Sequence, residues 1–142
     1  MVTVGIKGTN DWFVTKELSA MHIGSGTVPV LATPMMIALM EKTCRECVKP
    51  YLEPGQETVG TRVDVRHLAA TPVGMDVHCE VEVIEVDRRR ISFKVAVYDK
   101  GGLVGEGTHD RFIIDVEKFQ EKTEERKRMA SQPRMEKDEQ TA

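Results

Sequence analysis

The sequence predicts an α+β domain in which an antiparallel five-stranded sheet wraps around one long buried helix. Three observations carry this. A single apolar run at 34–40 continues through Cys44, Cys47 and Val48 and has no second helical pattern of comparable length. Four segments of alternating polar and apolar residues follow it, separated by tight turns. One short aromatic segment precedes it.

The elements follow in order. Residues 11–18 hold Trp12, Phe13 and Val14 and read as a short strand. Residues 19–32, with Gly24-Ser25-Gly26 and Pro29, read as a loop without regular structure. Thr33-Pro34 is a helix start, with a hydroxyl residue at the N-cap and proline in the first turn. The helix is expected to run to Val48 or Lys49, where Pro50 stops it. It is apolar almost all round, the pattern of an enclosed helix. Residues 58–70 alternate, with Val59, Thr61, Val63, Val65, His67 and Ala69 on one face and Arg62, Asp64 and Arg66 on the other. Residues 75–86 place Val77, Cys79, Val81 and Val83 together, and the alternation slips after Val83, as at a β-bulge. A hairpin at 87–90 leads to Ile91, Phe93, Val95 and Val97, and a second at 99–102 leads to a last strand over 103–116. Gly105 and Gly107 in that strand permit close backbone approach. Residues 1–120 form the domain. Residues 121–142 are a charged tail, starting with a short helix pinned by Phe119 and solvated beyond about Arg126. Five strands leave one side of the helix uncovered, so a homodimer is expected, with a tetramer as a further step.

Composition narrows the function. The chain has 142 residues, enough for one domain with a core. A formal net charge of −3 argues against a phosphate-backbone binder, so no nucleic-acid partner is expected. No apolar stretch is long enough to span a bilayer, and the first residues lack a secretory pattern. Three cysteines in apolar surroundings suit reduced thiols and a cytoplasmic protein. Cys44-Arg45-Glu46-Cys47 lies far from the helix start and has no second pair, so both thiols read as small buried residues and no metal site is expected.

Three residues carry candidate chemistry. Glu41 is a carboxylate within the apolar helix. Such a group is costly unless paired or put to use as a base or nucleophile. Thr33 is a helix cap at least, and beside a helix N-terminus it also lies where backbone N–H groups can hold a carbonyl oxygen. His67 ends an apolar strand face and can exchange a proton near neutral pH. Each has a structural alternative: a cap, a bonded structural acid, a rim histidine. Eight residues separate Thr33 from Glu41, about 12 Å along a helix. Both reach one carbonyl only if the substrate bridges them, the helix start bends, or a dimer sets Thr33 of one subunit against Glu41 of the other. Arg62, Arg66 and residues 88–90 are candidates for the phosphates of a nucleotide tail.

The segment 33–55, with Leu39-Met40-Glu41 and Pro50-Tyr51-Leu52-Glu53-Pro54-Gly55, resembles the fluoroacetyl-CoA thioesterase family. So do Val59-Gly60-Thr61, the stretch 67–72, Gly107-Thr108-His109-Asp110-Arg111 and Val116-Glu117-Lys118-Phe119. The resemblance spans about 30–120. It implies a hotdog fold and an acyl-CoA thioesterase, usually dimeric, with no cofactor beyond the coenzyme A of the substrate. It assigns Thr33, Glu41 and His67 as the catalytic set and places Gly60 and Arg111 near the substrate. The member selective for a fluorinated acyl group has a longer lid bearing phenylalanine. Residues 21–30 here are shorter and have none, so a small acyl-CoA of unspecified structure is the expectation. The alternatives are a non-catalytic acyl-CoA binding module and a hotdog enoyl-CoA hydratase. For the hydratase no Asp–His pair is evident.

Overall fold

The computed structural model describes residues 1–131. The order of elements is β1 (Lys7–Phe13), α1 (Ala20–Ile23), α2 (Thr33–Val48), β2 (Gln56–His67), β3 (Asp76–Asp87), β4 (Arg90–Asp99), β5 (Gly102–Asp115) and α3 (Val116–Ala130). All strand pairs are antiparallel, in the spatial order β1-β3-β4-β5-β2. The last four strands were legible from alternation. β1 begins and ends earlier than the expected 11–18, because its polar residues carry no apolar signal and it lies at a sheet edge. The segment 19–32 is not without structure. It contains α1 and is tied down by backbone bridges from Ser19 to Leu31 and from Val30 to Pro72.

The inner face of the sheet supplies Val77, Cys79, Val81, Val83, Ile91, Phe93, Val95, Val97 and Val104 to the core. Against them α2 buries Met36, Leu39, Met40, Cys44 and Val48, at the i, i+3, i+4, i+8, i+12 spacing of one helical face. The helix seats closely on β5 because Gly105 has no side chain, and a Cβ there would stand 2.5 Å from Met36 Sδ. A Cβ on Gly107 would strike the Asp64 carbonyl of β2.

Two features shape the site. First, as expected of five strands around one helix, α2 is left uncovered along one side of the single chain. Pro34 is exposed and Ile37, Ala38 and Glu41 are only half-buried, because one sheet covers only the opposite face. Second, β2 carries a register shift between Gly60 and Arg62 that the alternation did not reveal. Before it the inward residues are Thr58 and Gly60, opposite Ile113 and Arg111. After it they are Val63, Val65 and His67, opposite His109, Gly107 and Gly105. Val59 therefore does not share a face with Val63. The extra residue in the bulge reverses the parity.

α3 continues to Ala130, past Arg126, where the sequence suggested that order would end, and its residues are largely exposed. The remainder of the expected tail, 132–142, lies outside the described residues. No helix among the described residues is long and apolar enough to cross a membrane.

Candidate active site

Thr33 is not the cap of α2. Ala32 holds the extended cap conformation, Thr33 is the first helical residue and Pro34 the second, with no side-chain cap bond. The Met35 and Met36 N–H groups both donate to the Ala32 carbonyl, and Pro34 has no N–H. The Thr33 N–H is the first-turn amide that takes part in neither bond. The Thr33 hydroxyl turns to the sheet instead, where its Oγ1 lies 2.7 Å from His67 Nδ1. His67 is the last residue of β2 and points inward, as expected. Burial pushes its pKa below the usual histidine range, which favours the neutral ring, able to accept a proton at one nitrogen. Its Nε2 is buried with no hydrogen-bond partner among the described residues.

A cavity of about 350 Å³ opens beside this pair, lined by Val28, Val30 and Leu31 of the 19–32 segment and by Leu68, Ala69 and Ala70 beyond β2. Its walls are held in place by backbone bonds from Leu31 N to Thr71 O and from Leu68 N to Val104 O. The hydroxyl and the imidazole thus stand at the edge of an apolar recess.

Glu41 lies two turns further along α2, on the open face, and its side chain is 41% exposed. The expectation of an acid in the oily centre is corrected here, because the uncovered helix face leaves it at the surface of the single chain. It does not touch Thr33 or His67. Its surroundings are Gly60, His109 and Arg111. A Cβ on Gly60 would stand 2.7 Å from Glu41 Oε2, 3.1 Å from His109 Cε1 and 3.4 Å from Arg111 Nη1. The bulge in β2 puts that glycine inward and so makes room for the carboxylate.

Arg111 is buried, and each of its three side-chain nitrogens donates a hydrogen bond. Nε donates to Thr58 Oγ1 at 2.8 Å, Nη2 to the Thr58 carbonyl at 2.8 Å, and Nη1 to His109 Nε2 at 3.2 Å. Glu41 Oε2 is 4.0 Å from Nη1, close enough for attraction and too far for a hydrogen bond. His109 is 1% exposed, stacks on Phe93 and donates from Nδ1 to the Arg62 carbonyl in the bulge, 2.8 Å away. Thr58 and His109 were not singled out from the sequence. The signal was the hairpin register: Phe93 pairs with His109, so an inward Phe93 requires an inward His109.

Of the arginines considered for phosphate, Arg62 bonds Asp64 and Thr108, Arg89 pairs with Asp115, and Arg90 pairs with Glu85 and Asp87. The three cysteines are free thiols. Burial pushes Cys44 far above the usual thiol range and Cys79 up to about 11, so neither is a ready nucleophile.

The chain is similar to several known proteins. A protein from Thermus thermophilus described as a thioesterase superfamily member superposes with a TM-score of 0.87 at 28% identity, over 94% of this chain and 98% of that one. A hot-dog-like protein from Thermanaerovibrio acidaminovorans shares the fold at 23% identity, with a TM-score of 0.80 over 87% and 91% of the two chains. A mutant of the fluoroacetyl-CoA enzyme solved with acetyl-CoA gives a TM-score of 0.84 at 35% identity, covering 88% of this chain and 98% of that one. The fluoroacetyl-CoA thioesterase of Streptantibioticus cattleyicolor is 36% identical over 129 residues, 87% of this chain and 93% of its own length. The family model for the fluoroacetyl-CoA-specific thioesterase matches residues 14–117, and this hotdog-fold chain therefore belongs to that thioesterase family.

Proposed function

We propose that the protein hydrolyses a small acyl-CoA to the free acid and coenzyme A at a site completed by a second copy of the chain. The thioester hydrolase class follows from the family. The observation that carries the site is the Thr33–His67 pair, 2.7 Å apart at the tip of α2 and at the edge of an apolar cavity. In this reading the acyl group enters the recess and its carbonyl meets the helix tip, where the Thr33 N–H and hydroxyl lie. Glu41 takes a proton from water, the water oxygen bonds to the carbonyl carbon, the carbon–sulfur bond breaks, and the departing thiolate is protonated. His67 orients the Thr33 hydroxyl and exchanges its proton.

Within one chain Glu41 stands about 12 Å along the helix from Thr33. A second copy resolves this by setting its Glu41 against the first copy's Thr33. Three features support such a dimer. β2 is an edge strand of 12 residues with no neighbour on its outer side among the described residues. The α2 face bearing Ile37, Ala38 and Glu41 is incompletely covered. Val63 points to the inner side of the sheet yet is 42% exposed. The free cysteines suit a reducing, cytoplasmic setting.

The test is thiol release across a panel of acyl-CoAs, joined to subunit mixing. Thr33→Ala and Glu41→Gln are each expected to be inactive. When they are unfolded and refolded together, half of the dimers are mixed and each mixed dimer has one intact site, so about a quarter of the native activity returns. No recovery from a demonstrably mixed population rejects the shared site, and no thiol release from any acyl-CoA by the native protein rejects the hydrolase.

A further inference from the structure

We propose that His109 is a positioning residue of this reaction: its Nε2 holds Arg111 back from Glu41, and so keeps the carboxylate free to act on water. The inference rests on the reading of Glu41 as the base. It starts from the accounting of the Arg111 fork. Two of its nitrogens are engaged by Thr58 and the third by His109. An arginine 4.0 Å from a carboxylate would ordinarily close the gap to a bidentate pair. Here Nη1 is directed at an imidazole nitrogen.

That bond requires His109 to be neutral with its proton on Nδ1. The surroundings enforce this. The Arg62 carbonyl in the bulge accepts from Nδ1 at 2.8 Å. Burial, reinforced by the charge of Arg111, pushes the His109 pKa below the usual range. Phe93 closes the other side of the ring.

The remaining charged and titratable neighbours do not substitute for His109. On α2, Cys44 is a buried neutral thiol and Arg45 pairs with Glu57 of β2 at 3.2 Å. Glu57 is also held by Lys49 at 2.7 Å. On β5, Asp110 is half-buried and lies, by strand alternation, on the outward side between His109 and Arg111. Arg111 is therefore the cation that faces Glu41, and His109 sets how closely it approaches.

Removing the acceptor frees Nη1 to turn to the nearest alternative, Glu41 Oε2. A direct ion pair stabilises the ionised carboxylate and makes it a weaker base for water. For His109→Leu the acidic limb of the kcat/KM profile is expected to move down by about one pH unit, and the plateau to fall about tenfold through kcat, with KM little changed. His109→Gln keeps an acceptor within reach of Arg111 and is expected to stay within about threefold of the native enzyme. A folded His109→Leu enzyme with the native limb and plateau would overturn the proposal. If that variant does not fold, nitrogen NMR of the native enzyme decides. A His109 ring with a bare Nε2 at neutral pH supports the proposal, and a protonated Nε2 overturns it. Glu41→Gln separates the two levels: full turnover in that variant removes the base and this inference together, whereas an inactive Glu41→Gln beside an unaltered His109→Leu removes only the inference.

Discussion

The two ends of the α2 open face are built on opposite plans. At the helix tip, Thr33 is exposed and meets His67 through one side-chain bond, and the other imidazole nitrogen has no partner among the described residues. Two turns on, Glu41 is also half-exposed, but the groups behind it are buried and bonded to one another: Arg111 bonds Thr58 twice and His109 once, and His109 bonds the bulge carbonyl. The first end keeps hydrogen-bonding capacity for a reacting molecule. The second spends it internally to fix a positive charge beside a carboxylate. Preorganised charge costs no reorganisation during reaction, while an uncommitted hydroxyl–imidazole pair can change partners. Substitutions at the tip should therefore affect turnover and leave stability nearly intact, whereas those at the buried network should affect both.

The largest effect is expected at Glu41. Glu41→Gln preserves size and removes the base, so kcat should fall by about 10²–10⁴. The side chain is 41% exposed and bonds no neighbour directly among the described residues, so the melting temperature should hardly move. A large drop in melting temperature would show that the carboxylate belongs to the structural network after all.

Arg111→Met should reverse that pattern on the stability side. It leaves the Thr58 carbonyl, the Thr58 hydroxyl and His109 Nε2 without their donor in a buried place. Each orphaned polar group costs about 1–3 kcal/mol, of which repacking recovers part. Thr33→Val, by contrast, removes one exposed bond and should cost less than about 1 kcal/mol in urea unfolding while depressing turnover. Equal stability losses at the two positions would erase the distinction between the ends.

Acid should expose the difference in burial. His67 and His109 both have pKa values below the usual histidine range, each chiefly because burial disfavours the charged ring. As pH falls through the ordinary histidine range near 6.5, the unfolded chain takes up protons that the folded chain still refuses, so stability decreases toward the lower folded pKa values and is flat above. His78 works in the other sense. Its bond to Asp11 raises its pKa, which stabilises below the ordinary value and is lost as pH rises through the raised one. That pair is exposed and screened, so the buried rings should dominate. Melting temperatures from pH 8 to pH 5 should decline, and less steeply in His109→Gln. A rise on acidification would contradict this.

The legibility of the two ends also differed, for physical reasons. The tip was readable because helix punctuation is local: Thr33-Pro34 marks the start of α2 wherever the helix packs. Even so, the cap fell one residue early, on Ala32, because the hydroxyl was more useful to His67 than to the helix. The strands were readable because alternation survives any tertiary context, except in β1, whose polar residues sit at an edge. The family resemblance places Gly60 and Arg111 near the substrate, but alternation alone does not show the network behind Glu41, for two reasons. The bulge between Gly60 and Arg62 reverses the inward face of β2, so an unbroken alternation does not place Thr58 on the inner face. His109 and Arg111 are polar residues in a polar stretch, and only the pairing of His109 with Phe93 reveals their burial. Glu41 was over-read as enclosed because an apolar helix sequence does not say whether the same chain or a second copy supplies the cover.

Gly60→Ala is the finest probe of the comparison, since it touches the network end without removing any polar group. The new Cβ would stand 2.7 Å from Glu41 Oε2, and a carboxylate at the end of a flexible side chain can move aside at little cost in stability. It can move only outward, because His109 Cε1 at 3.1 Å and Arg111 Nη1 at 3.4 Å from the same Cβ close the inner side. A displacement of an ångström at a catalytic group is worth up to about a hundredfold. The expected result is a fall in kcat of about tenfold to a hundredfold with only a small loss of melting temperature, from the close approach to the buried His109 ring, and a largely unchanged KM. A folded Gly60→Ala enzyme with native kcat would mean that the position of the carboxylate is not set from behind, and that the bulge in β2 serves the strand pairing alone.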